Sequence, residues 1–349
     1  MKTRLIPPNF RPLIFFTIAL FFLLACNERK DYTSVLLLKK GWFIQSSQKT
    51  TSNGEVLSTS FSDLDGWHQA EVPSTVFGSL VKNMVYEDVF YGKNLEKADP
   101  DDFQCSWWYR TSFRVGEKAP STHIFEFDGI IFRANIWLNG TKIASADTVE
   151  GAFRQYSIIV SNLIKKDEDN FLAVEVFPPV AGDLTVGFVD WNPEAPDRGM
   201  GIWREVRLRS SGPVSLKHPF VITKLDTATL RNAELTVSCE ATNNGTADYS
   251  GNMQVTIGDE ISLKQKVKLS PGEKKLITFK PEDYPALRIE NPRIWWTHDL
   301  GNPELYNVKI GFVRSNELSD EVETTFGIRD ISSYTYNKYG REHKGYILN

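Results

Sequence analysis

The chain has 349 residues, a formal net charge of −4 from 40 Lys+Arg and 44 Asp+Glu, and nine Trp among 12% aromatic residues. This length is too great for one β-sandwich and suits two domains, each able to bury its own core. The near balance of charge, without a basic stripe, argues against nucleic acid as a partner, whereas indole rings suit packing on sugars even though core packing explains most of them.

The first 25 residues have the pattern of an export signal. Basic residues precede an apolar run over residues 13–25, which is too short for a comfortable membrane span. The run ends in Leu-Leu-Ala-Cys26, which resembles the bacterial lipobox, where the cysteine becomes the lipidated first residue of the mature protein. We therefore predict a signal peptide over 1–25, a tether over 26–34 and an exported bacterial lipoprotein, anchored to a membrane in the periplasm or at the cell surface.

The remaining cysteines and the histidines predict neither disulfides nor metal. Cys105 and Cys239 fall in different predicted domains, so a disulfide framework is not expected. The five His are scattered and no Cys pair accompanies them, so the spacing of a structural zinc site is missing. We expect no metal and no cofactor.

The dominant period along the mature chain is two, which predicts half-buried antiparallel strands. Asn139-Gly140 ends the first of these runs and is a strong hairpin signal, with the return strand running through Lys142 to Ala144. Only residues 75–85 show apolar residues at helical spacing, so the chain is predicted to be all-β. The alternating apolar positions are Phe132, Ala134, Ile136 and Leu138; Leu172, Val174 and Val176; Val206 and Leu208; Leu235, Val237, Cys239 and Ala241; Val255 and Ile257; and Val308, Ile310 and Phe312.

A cluster of small residues and prolines over residues 210–220, SSGPVSLKHPF, predicts a domain boundary. The part before it has the size of a jelly-roll sandwich, and the part after it has the size of an immunoglobulin-like sandwich. We predict a jelly-roll domain over 35–213, an immunoglobulin-like domain over 214–327 and a short extension over 328–349.

Six motifs in register carry a family resemblance: GWHQAEVPSTVFGSL, CSWWYRTSF, FEFDGI, IWLNGTKIA, GAFRQYSIIV and GMGIWREVRL. They resemble the sugar-binding domain of glycoside hydrolase family two, and NPRIWWTHDLGNPELYNVKI and TTFGIRDIS are similar to the end of the family's immunoglobulin-like domain. The DWNP…GMGIWR form is similar to the exo-β-glucosaminidase and β-mannosidase branch.

The resemblance implies a catalytic (β/α)8 barrel after FGIR, with one Glu as acid/base and a second as nucleophile. The sequence stops at Asn349, so we expect a non-catalytic front part that is inactive without its barrel. A retaining site needs two carboxyl groups about 5–5.5 Å apart. Acids in two loops lie close in sequence but are typical of solvated turns: Asp99, Asp101 and Asp102 in the first, and Glu194 and Asp197 in the second.

The resemblance also implies substrate-binding residues in two loops that face the pocket. Asp190 of the DW pair is expected to accept hydrogen bonds from hydroxyls of the nonreducing sugar, and Asn192 could add a donor. Trp191 either walls the pocket or fills the gap between jelly-roll and barrel. Asn94 is either a hydroxyl ligand or a turn residue.

Three functions remain open at this level. The leading one is the non-catalytic part of an exo-acting glycosidase that hydrolyses O-glycosyl bonds at the nonreducing end of an oligosaccharide. The alternative is a stand-alone carbohydrate-binding lipoprotein. A structural, adhesion-like pair of sandwiches is the third.

Overall fold

The computed structural model describes residues 33–61, 64–185 and 191–349. The predictions made for Cys26 and Asp190 therefore lie outside the described residues. Within those three ranges, no helix combines the length and apolar character that crossing a bilayer requires.

The first sandwich consists of antiparallel strands that alternate between a buried and an outward side. Its four-stranded sheet has the order β1-β12-β6-β9, its six-stranded sheet has the order β3-β2-β5-β10-β7-β8, and β4 pairs with β11. The strands are β1 (Ser34–Leu37), β2 (Trp42–Ser46), β3 (His68–Ala70), β4 (Ser74–Thr75), β5 (Trp107–Arg114), β6 (Thr122–Phe127), β7 (Arg133–Leu138), β8 (Thr141–Ala144), β9 (Tyr156–Ile159), β10 (Asp169–Phe177), β11 (Gly201–Ile202) and β12 (Val206–Ser211).

The core of this sandwich lies between the two larger sheets and contains fully buried Trp42, Tyr109, Phe125 and Phe127. Two short helices, α1 (Gly54–Leu57) and α2 (Val76–Lys82), accompany the sheets. Helix α2 confirms the helix predicted from the spacing in residues 75–85.

The hairpin predicted at Asn139-Gly140 joins β7 to β8. Both turn residues have positive φ, 50° and 83°, which is the backbone that an Asn-Gly hairpin turn requires. The local sequence therefore specified this turn.

The second sandwich has its own core between two antiparallel sheets, with Val237, Val255, Ile310 and Phe312 among its buried side chains. One sheet has the order β13-β14-β17, with β18 also paired to β14, and the other has the order β16-β15-β19-β20. The strands are β13 (Val214–Leu225), β14 (Asn232–Asn243), β15 (Tyr249–Ile257), β16 (Ile261–Leu269), β17 (Lys274–Phe279), β18 (Arg288–Glu290), β19 (Tyr306–Arg314) and β20 (Glu317–Phe326). The predicted fold class, a jelly-roll followed by an immunoglobulin-like sandwich, is confirmed.

A buried ion pair connects the two sandwiches. Arg209 of β12 reaches Asp320 of β20, with 2.5 Å between Nη2 and Oδ2, and Asp320 is fully buried. Arg209 also donates to the carbonyl of Leu216, whose amide donates to the same carboxylate oxygen. Thr33 donates to the other carboxylate oxygen. The junction therefore uses groups from four separate segments of the chain.

After the second sandwich, strands β21 (Ile331–Lys338) and β22 (Arg341–Leu348) form a two-stranded sheet. Every residue of β21 is exposed. On this hairpin the ring of Tyr336 contacts the rings of Tyr334 and His343. The cysteines are free in the described part of the chain: Cys239 is buried in the second sandwich and Cys105 is half-buried in the first.

Candidate functional site

Helix α2 anchors the first of the two predicted loops. Its start is capped by Thr75, whose hydroxyl accepts a hydrogen bond from the Gly78 amide at 3.1 Å. The ring of Phe77 packs against Tyr86 and Phe103, with centroid distances of 5.3 and 6.0 Å. The predicted loop over residues 87–97 is part of a longer loop over residues 87–104. Because Tyr86 precedes this longer loop and Phe103 lies near its end, the helix fixes both of its ends.

The backbone amide of Phe77 in α2 also holds the second predicted loop, through Asp197. Asp197 is 2% exposed, and its carboxylate accepts hydrogen bonds from the amides of Phe77 at 2.7 Å and Gly199 at 2.9 Å. Burial raises the pKa of this carboxyl, while the amides act in the opposite direction. Burial, followed by the charge of Asp197, raises the pKa of the Tyr109 hydroxyl as well. No cation pairs with Asp197 among the described residues.

The chain that follows Asp197 is held by close backbone packing. Arg198 and Gly199 have positive φ, 49° and 78°, so the chain turns sharply before β11. Gly201 then pairs with Thr75, and a Cβ at Gly201 would lie 2.7 Å from the carbonyl oxygen of Ser74. This close approach explains why glycine occupies the position. The second loop thus ends at a fixed point beside α2.

The two loops meet at a cleft of about 150 Å³. Complete small-molecule sites typically enclose about 300–1,000 Å³, so the volume suits part of a pocket. The cleft is lined by Phe103 and Gln104 from the first loop, Pro178 and Pro179 at the end of β10, and Glu194 and Asp197 from the second loop.

A second carboxylate, that of Asp183, lies just before residues 186–190 in the chain. Asp183 receives two hydrogen bonds of 2.7 Å from Arg133 and one of 2.9 Å from the Val180 amide. Arg133 also contacts Glu150 at 3.0 Å and stacks over the ring of Phe132. The guanidinium of Arg133 holds the pKa of Asp183 below its usual range. The described chain on both sides of residues 186–190 is therefore held by a carboxylate.

The predicted substrate-binding residues differ in their exposure and in their hydrogen bonds within the protein. Trp191 is 82% exposed and Asn192 is exposed as well. Asn94 begins a short turn over Asn94–Lys97, and its side-chain amide donates to the carbonyl of Asp88 at 3.1 Å. This contact accounts for Asn94 as a turn residue and leaves its carbonyl oxygen for a further partner.

Two exposed aromatic residues in the first loop are not among the site residues predicted from the sequence. Phe90 is fully exposed and Tyr91 is 79% exposed. The signal was present in the sequence as adjacent aromatics before a glycine, DVFYGK, between acidic and basic turn residues. Large apolar rings held in solvent are typical of surfaces that meet a ligand or another domain.

The loop acids have partners that suit turns. Asp99 accepts from the Asp101 amide at 3.0 Å, and Asp102 accepts from the Tyr86 hydroxyl at 3.3 Å. Glu194 lies 3.7 Å from Arg198, an exposed pair of the kind that contributes little.

Comparisons with known proteins agree with this architecture. Residues 42–186 match the model described as Glycosyl hydrolase 2 galactose-binding domain-like, and residues 214–329 match the model of Glycosyl hydrolases family 2. An exo-beta-D-glucosaminidase of Streptomyces avermitilis is 35% identical over 294 residues, which cover 84% of this chain and 32% of the relative. One from Amycolatopsis orientalis is 31% identical over 307 residues, which cover 87% of this chain and 28% of the relative.

The crystal structure of the Amycolatopsis orientalis exo-chitosanase has the same fold over 89% of this chain, with a TM-score of 0.81 and 30% identity. The match covers 36% of that structure. The chain therefore spans about a third of the length of the relatives it matches.

Proposed function

Because the chain belongs to glycosyl hydrolase family 2, we propose that it is the amino-terminal, non-catalytic part of a retaining, exo-acting glycosidase of the β-glucosaminidase and β-mannosidase type. The observation that carries the proposal is the likeness to exo-β-D-glucosaminidases, which covers more than four fifths of this chain but about a third of theirs. Its substrate would be the nonreducing end of an oligosaccharide, and its partner would be a catalytic barrel.

The two loops of the first sandwich would form one wall of the sugar pocket. Trp191 has the exposure needed to pack on the face of a sugar ring, and Asn192 is free to add a hydrogen bond. Asp190 would accept from sugar hydroxyls, and a hydrogen bond to a charged acceptor contributes about 1.5–3 kcal/mol. Asn94 would use its carbonyl oxygen from the first loop. The cleft between the two loops, at about 150 Å³, is smaller than a complete small-molecule site, and this supports a pocket that the barrel would complete.

Both catalytic carboxylates would lie in the barrel. The loop acids of this chain are turn formers or anchors with partners of their own, which makes them poor candidates for a pair of reacting carboxyl groups. The 349-residue chain by itself is therefore expected to be inactive.

The test is to assay two proteins for hydrolysis of p-nitrophenyl β-D-glucosaminide, β-D-mannoside and β-D-galactoside. One is the 349-residue chain, and the other is the longest polypeptide that the gene encodes when read beyond the codon for Asn349. We expect hydrolysis by the longer protein, with the glucosaminide preferred, and none by the shorter one. Hydrolysis by the 349-residue chain would contradict the proposal that both catalytic carboxylates lie in the barrel.

The alternative, a carbohydrate-binding lipoprotein without catalysis, is favoured by the exposure of Phe90, Tyr91 and Trp191. Such a protein should bind sugar without a barrel. Calorimetric titration of the 349-residue chain with chito- and mannooligosaccharides separates the two functions, because saturable binding supports the alternative and no measurable heat supports the glycosidase.

Lipid anchoring at Cys26 is part of the proposal. Export in the cell of origin should place the protein in the membrane fraction, and Cys26→Ser should release it into the soluble fraction because no thioether can form. Equal partitioning of both proteins would contradict lipidation at this residue.

A further inference from the structure

We infer that Asp197 is a positioning residue of the sugar site: its carboxylate, bound to the amides of Phe77 and Gly199, fixes residues 191–198 so that Trp191 and Asn192 face the glycan. The inference rests on the proposed function. It assigns to Asp197 a role different from that of a catalytic acid, because the carboxylate is turned into the protein and is 2% exposed.

The Asp197 carboxylate is buried without a cation beside it in the described part of the chain. An ionised group removed from water is unfavourable unless hydrogen bonds replace its hydration. Here the compensation comes from the backbone amides of Phe77 and Gly199. Since one amide belongs to α2 and the other to the loop itself, the carboxylate joins two segments 120 residues apart in sequence.

Phe77 contacts both loops, one through its amide and the other through its ring. Its amide holds Asp197, and its ring holds Tyr86 and Phe103, which bracket the first loop. The spacing between the loops across the cleft is thus set at one residue of α2. Removing the Asp197 carboxylate would release one wall of the cleft and leave the other in place.

The carboxyl-terminal end of the second loop is buried, whereas the residues before it are exposed. Asp197 and Met200 are buried, whereas Trp191, Asn192 and Glu194 are exposed. Nothing in the described part of the chain covers the indole of Trp191. The direction of this segment therefore depends on its fixed end.

The test is hydrogen exchange, read by mass spectrometry, on the 349-residue chain and three variants. Asp197→Ala should speed exchange at Arg198, Gly199 and Met200, whose amides are hydrogen-bonded in this turn, by at least about tenfold, the effect of losing one hydrogen bond to a charged group, while β14 keeps its protection. Asp197→Asn, which keeps the size and one acceptor oxygen, should restore part of that protection. The control is Asp169→Ala, which removes an equal charge from an exposed pair with Arg114 and should leave exchange at residues 198–200 unchanged.

Two results would overturn the inference. One is unchanged exchange at Arg198, Gly199 and Met200 in Asp197→Ala. The other is an equal rise throughout the first sandwich, which would make Asp197 a general stabilising residue instead of a positioning one.

The longer protein from the glycosidase assay gives the functional readout. Because Asp197 is buried and would act on substrate only through the loop it holds, Asp197→Ala should raise KM by about tenfold with a smaller change in kcat, and Asp197→Asn should recover part of the loss. If the wild-type protein hydrolyses glycosides and Asp197→Ala leaves KM unchanged, the inference fails while the proposed function stands. If the wild-type protein hydrolyses none, the proposed function fails, and the exchange data alone decide whether Asp197 fixes the segment.

Discussion

Two buried aspartates hold separate parts of this protein together, and their hydrogen-bond partners differ. Asp320, at the junction of the sandwiches, is fully buried against the guanidinium of Arg209. Asp197, at the candidate site, is equally withdrawn from water but is held by backbone amides. A full opposite charge therefore compensates the buried carboxylate at the junction of the two sandwiches, and amide dipoles compensate the one at the end of the second loop.

The pKa of each carboxyl follows from these surroundings. Burial raises the pKa of both, and Arg209 opposes that rise for Asp320 while amides oppose it for Asp197. A carboxyl with a raised pKa in the folded state binds its proton at a higher pH than in the unfolded chain. Such a group favours the folded state more as the pH falls.

The largest expected effect is at the junction. Asp320→Ala should lower the free energy of unfolding by about 3–5 kcal/mol, because it leaves the buried Arg209 guanidinium without its counter-charge. Urea denaturation of the 349-residue chain measures the change. Asp169→Ala, at the exposed pair with Arg114, is the matched control with an expected loss below about 1 kcal/mol. Equal effects of the two variants would contradict the importance of the junction.

A smaller effect is expected at the other carboxylate beside the candidate site. Asp183→Ala should cost about 1–2 kcal/mol, since Arg133 keeps its contact with Glu150 after the change. Differential scanning calorimetry would detect the shift in melting temperature. A loss as large as that of Asp320→Ala would show that the backbone near Asp183, and not the ion pair alone, depends on this carboxylate.

The pH dependence distinguishes Asp197 from an ordinary surface acid. Between the unfolded pKa near 3.8 and the raised folded pKa, the folded state binds more protons, so stability falls as the pH rises through this window. Relative to Asp197→Asn, the wild type should therefore gain stability when the pH is lowered from 7 to 4, by about 1.4 kcal/mol for each unit of pKa elevation. Urea unfolding at four pH values tests this, and a slope of opposite sign would mean that the amides outweigh burial.

The smallest effect on stability is expected for Trp191, which lies in the loop that ends at Asp197. Trp191→Ala should change the free energy of unfolding by less than about 0.5 kcal/mol, because the indole is 82% exposed. Urea denaturation again provides the measurement. A loss above about 1 kcal/mol would mean that Trp191 packs on its own sandwich, and it would weaken the assignment of this side chain to a sugar.

Several elements could be predicted because their signals are local. Alternation with period two placed the strands that contain residues 134–138, 172–176 and 308–312. The dipeptide Asn139-Gly140 placed a hairpin, since both residues tolerate positive φ. Helical spacing placed α2.

The anchors could not be predicted, because their partners are distant in sequence. In the sequence Asp197 is typical of a turn acid, and no neighbouring residue indicates the amide of Phe77, which is 120 residues away. Arg133 and Asp183 are 50 residues apart, and Arg209 and Asp320 are 111 residues apart. The exposure of the β21–β22 hairpin was likewise not expected from its sequence.

Alternation, turn residues and the order of the motifs can all be read from consecutive residues. They therefore predict the all-β class, the order of the two sandwiches and the family without a structure. The tertiary structure alone decided which acids are buried, what holds them and which loop residues stay exposed. The physical reason is that the burial of a carboxylate depends on amides and guanidinium groups that only folding brings within hydrogen-bonding distance.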